Sequence, residues 1–173
     1  MDAMENLLTR RSVRQYKPDA VPQDVLRRIL EAGTYAATGM GRQSPILVAV
    51  TDRATRDTLA AENARIMEQP GSDPFYGAPA VIVVLADRSI PTYVYDGSLV
   101  MSNLMLAAHA EGLGSCWIHR AKEEFDSEFG QALLRKWGIR GDYEGVGHCI
   151  IGYADGDAAI PKARKPDYIH IVE

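Results

Sequence analysis

The chain has 173 residues, of which 46% are hydrophobic and 24% charged, proportions that are typical of a folded globular protein. Its 19 Lys and Arg residues are outnumbered by 23 Asp and Glu residues, which gives a net charge of −4. This balance argues against nucleic acid or an anionic membrane surface as a partner, because both are bound by an excess of basic residues. At this length we expect one domain over residues 1–173.

In chain order, the hydrophobic pattern predicts a mixed α+β fold. It indicates helix 5–9, helix 21–37, strand 46–51, helix 54–67, strand 80–86, helix 93–111, strand 115–118, helix 123–137 and strand 146–153. The run at 80–86 is the clearest strand, because it is wholly apolar and rich in β-branched residues. Helix 93–111 is apolar nearly all round, and a chain of this size covers such a helix most simply with a partner subunit.

Two cysteines, Cys116 and Cys149, lie in apolar runs without the spacing of a zinc site or a CxxC redox motif. We therefore predict two buried free thiols and no bound metal. Asp2 and Glu5 precede the first apolar residues, which is unlike a secretory signal, and the apolar run at 99–110 is too short to span a bilayer. A cytoplasmic location is the resulting expectation.

Two compact basic clusters stand near opposite ends of this acidic chain: residues 10–14 read RRSVR and residues 162–165 read KARK. Guanidinium groups pair with phosphate oxygens, lysine adds a point charge, and Ser12 offers a hydroxyl between the arginines. A small doubly charged anion such as a phosphate monoester would fit this set of donors. Solvated chain ends have the same composition, so the residues alone leave both interpretations open.

The sequence lacks the motifs of several enzyme classes. It contains no P-loop, no dinucleotide fingerprint, no HExxH and no GxSxG motif. We therefore predict no side chain that acts as a catalytic acid, base or nucleophile. A protein that binds phosphate without such a group suits a cofactor that carries the reaction itself.

Four segments, taken in order, resemble the FMN-dependent nitroreductase family. They are LTRRSVRQY at 8–16, AATGMGRQSP at 36–45, GLGSCW at 112–117, and GY at 152–153 followed by KARKP at 162–166. The resemblance implies a nitroreductase-like three-layer α/β/α sandwich with a central mixed, mainly antiparallel sheet. It also implies a homodimer with FMN at the subunit interface, NAD(P)H as the electron donor and a small organic molecule as the acceptor.

The resemblance assigns the basic clusters to the phosphate end of FMN. Arg10 and Ser12 would bind phosphate and ribityl oxygens, and Arg11 belongs to the same cofactor-binding cluster. Lys162 and Arg164 would close on the phosphate from the other end of the chain. These assignments require the two ends of the chain to meet in space.

Arg14 and the loop at 38–43 are assigned to the rest of the cofactor. Arg14 would lie toward the N1 and C2 carbonyl edge of the flavin, where a fixed positive charge raises the reduction potential. Thr38, Gly39, Met40 and Gln43 correspond to the stretch that reaches FMN from the partner chain in the family. Read without the resemblance, the same loop is a plain connection between a helix and a strand.

The segment after the third predicted strand departs from the family pattern. Ile118 and His119 fall where backbone groups face the flavin ring, but His119-Arg120 replaces a common Glu-Gly pair. This leaves the roles of both side chains open, and Arg120 could add positive charge near the cofactor or substrate. Trp117 is expected to pack in the core, and Asn63 resembles an amide that some relatives use against the flavin.

Other aromatic residues and one histidine have weaker assignments. Tyr35, Phe75 and Tyr76 either line the substrate face or simply fix their loops, and His109 is expected to be a core or interface group rather than a base. The resemblance implies an FMN-dependent NAD(P)H oxidoreductase that passes electrons to nitroaromatics, quinones or similar acceptors by a ping-pong mechanism. The alternative is an FMN-binding storage or redox-sensing protein with little turnover.

Overall fold

A four-stranded antiparallel sheet forms the centre of the computed structural model, which describes residues 1–157 and 159–173. The strands β1 (Pro45–Val50), β2 (Ala80–Asp87), β3 (Gly114–Ile118) and β4 (Tyr143–Gly152) lie in the spatial order β1-β2-β4-β3. The apolar run of β2 is an inner strand, paired with β1 on one side and β4 on the other. Within the described ranges, the parallel pairing is an isolated bridge between Ser12 and Ser115.

Helices cover both faces of this sheet. They are α1 (Ala3–Thr9), α2 (Gln23–Thr34), α3 (Arg53–Ile66), α4 (Tyr93–Ala110), α5 (Ala121–Asp126) and α6 (Glu128–Lys136), and a short 3-10 turn spans Gly39–Gly41. Odd-numbered side chains of β2 pack against α3, α5 and α6, whereas even-numbered ones pack against α2 and α4. Successive side chains of a strand point to opposite faces, so the strand carries two cores. The predicted three-layer sandwich is confirmed.

The single helix predicted at 123–137 is wrong, because the chain forms two helices there. Ser127 separates α5 from α6 with an extended backbone (φ −79°, ψ 164°). Its hydroxyl accepts a hydrogen bond of 3.3 Å from the Gly130 N–H group and so caps α6. Serine is among the favoured N-cap residues, which explains why an apolar pattern continues across a real break. The last strand also begins at Tyr143, earlier than the predicted residue 146.

Helix α4 is central to the packing but remains partly uncovered in the single chain. Met101 and Leu104 are fully buried between α2 and the sheet. Elsewhere on the helix, Val94, Tyr95 and Leu99 are 40%, 73% and 48% exposed. A single copy of the chain therefore covers only part of this apolar helix.

Both cysteines are buried free thiols, as predicted. Burial raises the pKa of the Cys149 thiol, because a thiolate at that position would lose its hydration. None of the helices in the described ranges combines the length and apolarity that crossing a bilayer requires. Among the same residues, no group of three His, Cys, Asp or Glu side chains is placed to ligate a metal ion.

The sheet brings the two basic clusters to one edge of the molecule. After α1 the chain runs beside β3, where the Val13 N–H group donates to the Ser115 carbonyl at 2.9 Å. A Cβ atom at position 114 would lie only 2.7 Å from the Val13 side chain, so this close approach needs glycine. The chain then reaches the end of β4, where Lys17 N–H donates to the Tyr153 carbonyl at 2.9 Å. Because β3 and β4 are neighbours, residues 10–17 lie beside the segment that follows β4.

Candidate functional site

Basic side chains from both ends of the chain border a cavity of about 370 Å³. Arg11, Ser12 and Arg14 line it from the N-terminal segment, and Lys162 and Arg164 line it from the C-terminal segment. Arg14 also borders two further cavities, and we call these three adjoining cavities the basic groove. The groove thus contains the juxtaposition of chain ends that the sequence analysis requires.

The second cavity of the basic groove, of about 620 Å³, contains Arg10. Buried guanidinium atoms here, Nη1 of Arg10 and Nε of Arg11, have no hydrogen-bond partner among the described residues. A buried donor without an acceptor costs free energy, so these atoms favour a bound acceptor. Asp155 and Asp157 also border this cavity, but neither forms a salt bridge with the arginines.

His109 lies in the same second cavity rather than in the core. Its Nε2 atom is 2.9 Å from the hydroxyl of Thr9, which itself donates to the Glu5 carbonyl at 2.6 Å. The hydroxyl has only one proton, so Nε2 of His109 must be the donor to Thr9. Burial, followed by the positive charges of Arg10 and Arg11, lowers the pKa of His109. Both effects favour the neutral imidazole over the charged form.

The third cavity of the basic groove, of about 350 Å³, extends from Arg14 along the end of β3. Its wall includes Ile118, His119 and Arg120, and Tyr76 also lines it. Trp117 is half-buried, packs against the core on the α4 side and also touches this cavity. The residues predicted at the ring end therefore share one groove with the residues predicted at the phosphate end.

The turn between β3 and α5 has an unusual backbone conformation. Arg120 adopts the left-handed region at φ 76° and ψ 8°, where a residue other than glycine is strained. Asn63 fixes the preceding peptide, because its fully buried amide donates to the His119 carbonyl at 2.8 Å. On the other side, Glu124 of α5 lies 3.0 Å from His148 of β4, and both are fully buried. The Asn63 hydrogen bond and the packing of α5 on β4 hold this turn in place.

A second loop holds Tyr76 at this cavity. The carboxylate of Asp73 accepts hydrogen bonds from the backbone N–H groups of Phe75 and Gly77, at 2.9 and 2.8 Å. It also accepts from Nη2 of Arg56 at 2.6 Å, and the Arg56 guanidinium lies over the Phe75 ring. Phe75 is fully buried, so it belongs to the core and not to the substrate face. Tyr76 is 42% exposed at the groove, whereas Tyr35 is 79% exposed outside it.

The loop at 38–43 lies away from the basic groove of its own chain. Thr38 and Gln43 line a separate small cavity of about 130 Å³ beside α4. Met40 is 87% exposed, and both Met40 and Gln43 have a positive φ, at 55° and 52°. Within one chain, these predicted cofactor residues are therefore not brought together with the basic clusters.

A buried carboxylate shapes this loop. Asp96 of α4 accepts hydrogen bonds from Gly39 N–H at 2.9 Å, Ser44 hydroxyl at 2.7 Å and Thr92 hydroxyl at 3.1 Å. Burial alone would raise the pKa of Asp96, but the three hydrogen bonds outweigh it and lower the pKa. Gly39 has no room for a side chain, since a Cβ atom would lie 2.3 Å from the Thr92 hydroxyl. The loop is thus held in a fixed, projecting shape.

Sequence comparison places this chain in a family. Residues 7–153 match the nitroreductase family, and the chain belongs to it. A curated relative from Methanothermobacter thermautotrophicus, provisionally named NADH dehydrogenase/NAD(P)H nitroreductase, is 29% identical over 121 residues. That match covers 68% of this chain but only 60% of the relative. A protein with the same provisional name from Archaeoglobus fulgidus is 28% identical over 98% of this chain and 97% of its own.

Comparison with solved structures confirms the fold over the whole length. A nitroreductase with bound FMN from Bacteroides fragilis NCTC 9343 superposes with a TM-score of 0.90 and 28% identity. The superposition covers 100% of both chains. The family resemblance that the four sequence segments indicate is therefore confirmed.

Proposed function

We propose that this chain is an FMN-dependent NAD(P)H oxidoreductase that passes electrons to nitroaromatics, quinones or similar small acceptors by a ping-pong mechanism. The observation that carries the proposal is the basic groove itself. None of the basic side chains that border it forms a salt bridge with a described residue, although the chain is acidic overall. The names of the relatives and the FMN in the Bacteroides fragilis structure support the same assignment.

The residues at the phosphate end suit a flavin mononucleotide. Arg10, Arg11 and Ser12 offer donors from one segment, and Lys162 and Arg164 offer positive charge from the other. The buried, unpartnered Nη1 of Arg10 is an available donor for a phosphate oxygen. A charge-assisted hydrogen bond would relieve the cost of leaving that donor unpaired.

At the ring end, Arg14 and the backbone of Ile118 and His119 are proposed to contact the flavin. Bound FMN supplies the redox chemistry, so the protein needs no catalytic acid or base of its own. The role of the chain is then to bind the cofactor and to set its electrostatic surroundings. A positive charge at Arg14 favours the more negatively charged reduced state of the cofactor.

We also propose that the active form is a homodimer, folded as a single domain per chain and located in the cytoplasm. Helix α1 buries no residue within one chain, and Leu7 and Leu8 are 57% and 65% exposed. The uncovered side of α4 and the exposed apolar side chains at Ile169 and Ile171 add to this surface. A second copy would bury these apolar groups and bring its own 38–43 loop to the groove.

A spectroscopic experiment tests the proposed function. The purified protein, loaded with FMN, is reduced with NADH or NADPH without oxygen, and then mixed with a nitroaromatic or a quinone. We expect loss of the flavin absorption on reduction and its return on addition of the acceptor. Protein that binds FMN but cannot be reduced by either nucleotide would instead be a flavin-binding protein. Protein that binds no FMN would exclude both.

A subunit-mixing experiment tests whether the site is shared. Arg10→Ala and Gln43→Ala chains are each expected to bind FMN weakly as homodimers. In a mixed dimer, a shared site leaves one of two sites with both wild-type residues, so strong binding returns at half occupancy. If both residues act from the same chain, no site in the mixed dimer is intact and strong binding does not return.

A further inference from the structure

The third cavity of the basic groove contains a cation that the proposed cofactor contacts do not use. Arg14 is assigned to the flavin, whereas Arg120 lines the same cavity without an assigned partner. Neither guanidinium forms a hydrogen bond or salt bridge with another described residue. Asp73 is the acidic side chain that borders this cavity among the described residues, and its carboxylate is already engaged by Arg56 and two backbone amides.

Arg120 also occupies its position at the expense of backbone strain. A glycine would adopt φ 76° without strain, yet the chain has arginine there. Strained residues persist where their surroundings fix them, and they concentrate at ligand sites. Here the Asn63 hydrogen bond and the packing of α5 on β4 hold the turn from both sides.

The lining of the same cavity also contains an aromatic side chain. Tyr76 is partly exposed, has a positive φ of 52°, and belongs to the loop that Asp73 and Arg56 fix. A planar ligand could therefore stack on an aromatic ring while its charged group reaches a guanidinium. Planarity and negative charge are the two ligand properties that these lining side chains suit.

We propose that Arg120 is a specificity-determining residue that selects electron acceptors carrying a carboxylate on an aromatic ring. The inference rests on the proposed function, because it concerns the acceptor of the FMN-loaded protein. Arg120 binds the carboxylate, Tyr76 contacts the ring, and Arg14 adds attraction from the far end of the cavity. Neutral acceptors of the same shape enter the groove without the contribution of Arg120.

The test uses benzoate and benzamide, which have nearly the same shape but differ in charge. Each is titrated into oxidised, FMN-loaded protein, and binding is followed by the shift of the visible flavin absorption. We expect wild-type protein to prefer benzoate, and Arg120→Gln to lower the benzoate-to-benzamide affinity ratio about tenfold. Arg120→Lys should restore part of the preference. Arg140→Gln, which removes an exposed positive charge outside the groove, should leave the ratio unchanged.

A second readout separates binding from structure. Arg120→Gly removes the strain together with the charge, so its Tm should rise by about 2–4 °C while its benzoate preference falls. Glu68→Gly relieves a similar strain (φ 58°) at a residue that does not line the groove, and should raise Tm without affecting the preference. In steady-state assays, the variants at Arg120 should raise KM for 4-nitrobenzoate more than for 4-nitrobenzamide.

The outcomes distinguish this inference from the proposed function. If the protein binds FMN and is reduced by NAD(P)H, but Arg120→Gln has the wild-type benzoate-to-benzamide ratio, Arg120 does not select the acceptor. A lower Tm in Arg120→Gly would also contradict the inference, because Arg120 would then stabilise the fold rather than strain it. Protein that takes up no FMN overturns the proposed function, and the acceptor inference with it.

Discussion

Arg56 and Arg10 both have buried guanidinium atoms, but only Arg56 has acceptors for them. Arg56 is 2% exposed and donates to Ala78, Asp57 and Asp73. Arg10 has a buried Nη1 atom with no partner among the described residues. The side chain and the charge are the same, so the two sites differ in the hydrogen-bond acceptors that surround the guanidinium.

This difference distinguishes arginines that stabilise the fold from arginines that are available to bind a ligand. Around Arg56, the acids come from α3 and the following loop, and the guanidinium joins these two segments. Around the basic groove, the positive charges come from segments distant in sequence, and none of them forms a salt bridge with a described residue. Substitutions should therefore affect unfolding at the first site and ligand affinity at the second.

Removal of Arg56 should have the largest effect on stability. Arg56→Met deletes hydrogen bonds to two carboxylates and the contact with Phe75, and we expect the free energy of unfolding to fall by about 3 kcal/mol. Urea unfolding measures this loss. Arg53→Met is the matched control, because Arg53 also pairs with Asp57 but its side chain is 75% exposed. Its expected loss is below about 1 kcal/mol. Equal losses in the two variants would contradict the distinction.

Arg10→Ala should reverse this pattern and affect the ligand more than the fold. Loss of a charge-assisted contact to phosphate weakens FMN binding by about 10- to 150-fold. The quenching of FMN fluorescence on titration with protein measures the affinity. Arg164→Ala is expected to act in the same direction, and Arg140→Ala, at an exposed residue outside the groove, should retain wild-type affinity. Unchanged affinity in Arg10→Ala would remove the phosphate assignment.

The sequence pattern predicts the sheet for a physical reason, whereas the meeting of the chain ends follows from the resemblance to the family. The β-branched run of β2 has no alternative to a buried strand, and its two faces dictate helices on both sides. The N-terminal basic cluster lies close to β3 because Gly114 permits the approach of Val13. The local pattern of apolar residues therefore predicts much of the architecture.

The rest of the site depends on contacts that the sequence pattern does not contain. The strain at Arg120 arises from Asn63 and α5, which are distant or later in the chain, so no local signal marks it apart from the departure from Glu-Gly. The sequence also gives no sign that His109 reaches the cavity of Arg10, because its helix is apolar nearly all round. The prediction of one helix at 123–137 fails because Ser127 caps rather than continues it.

Asp96 is a carboxylate whose hydrogen-bond donors all come from its own chain, so, like Arg56, it should affect stability rather than ligand binding. Asp96→Asn replaces one of its acceptor oxygens with a donor, and we expect the free energy of unfolding at pH 7 to fall by about 1.5 kcal/mol. The folded state lowers the pKa of Asp96, so its contribution is present above the ordinary value of 3.8 and disappears as the pH falls through the lower folded value. The free energies of unfolding of the wild-type and Asp96→Asn proteins should therefore become equal in acid. Asp19→Asn, at an exposed residue, should show no such pH dependence.

Arg14 provides the finest test, because its proposed effect is on the energy of the cofactor rather than on its retention. Arg14→Gln removes a positive charge that favours the reduced state, so the midpoint potential of bound FMN should fall by about 30 mV, or about 1.4 kcal/mol for two electrons. Equilibration with a reference dye measures this potential. Arg14→Lys keeps the charge and should retain most of the wild-type value. An equal fall in both variants would mean that the shape of the guanidinium matters at this site, whereas no fall in either would place Arg14 away from the flavin ring.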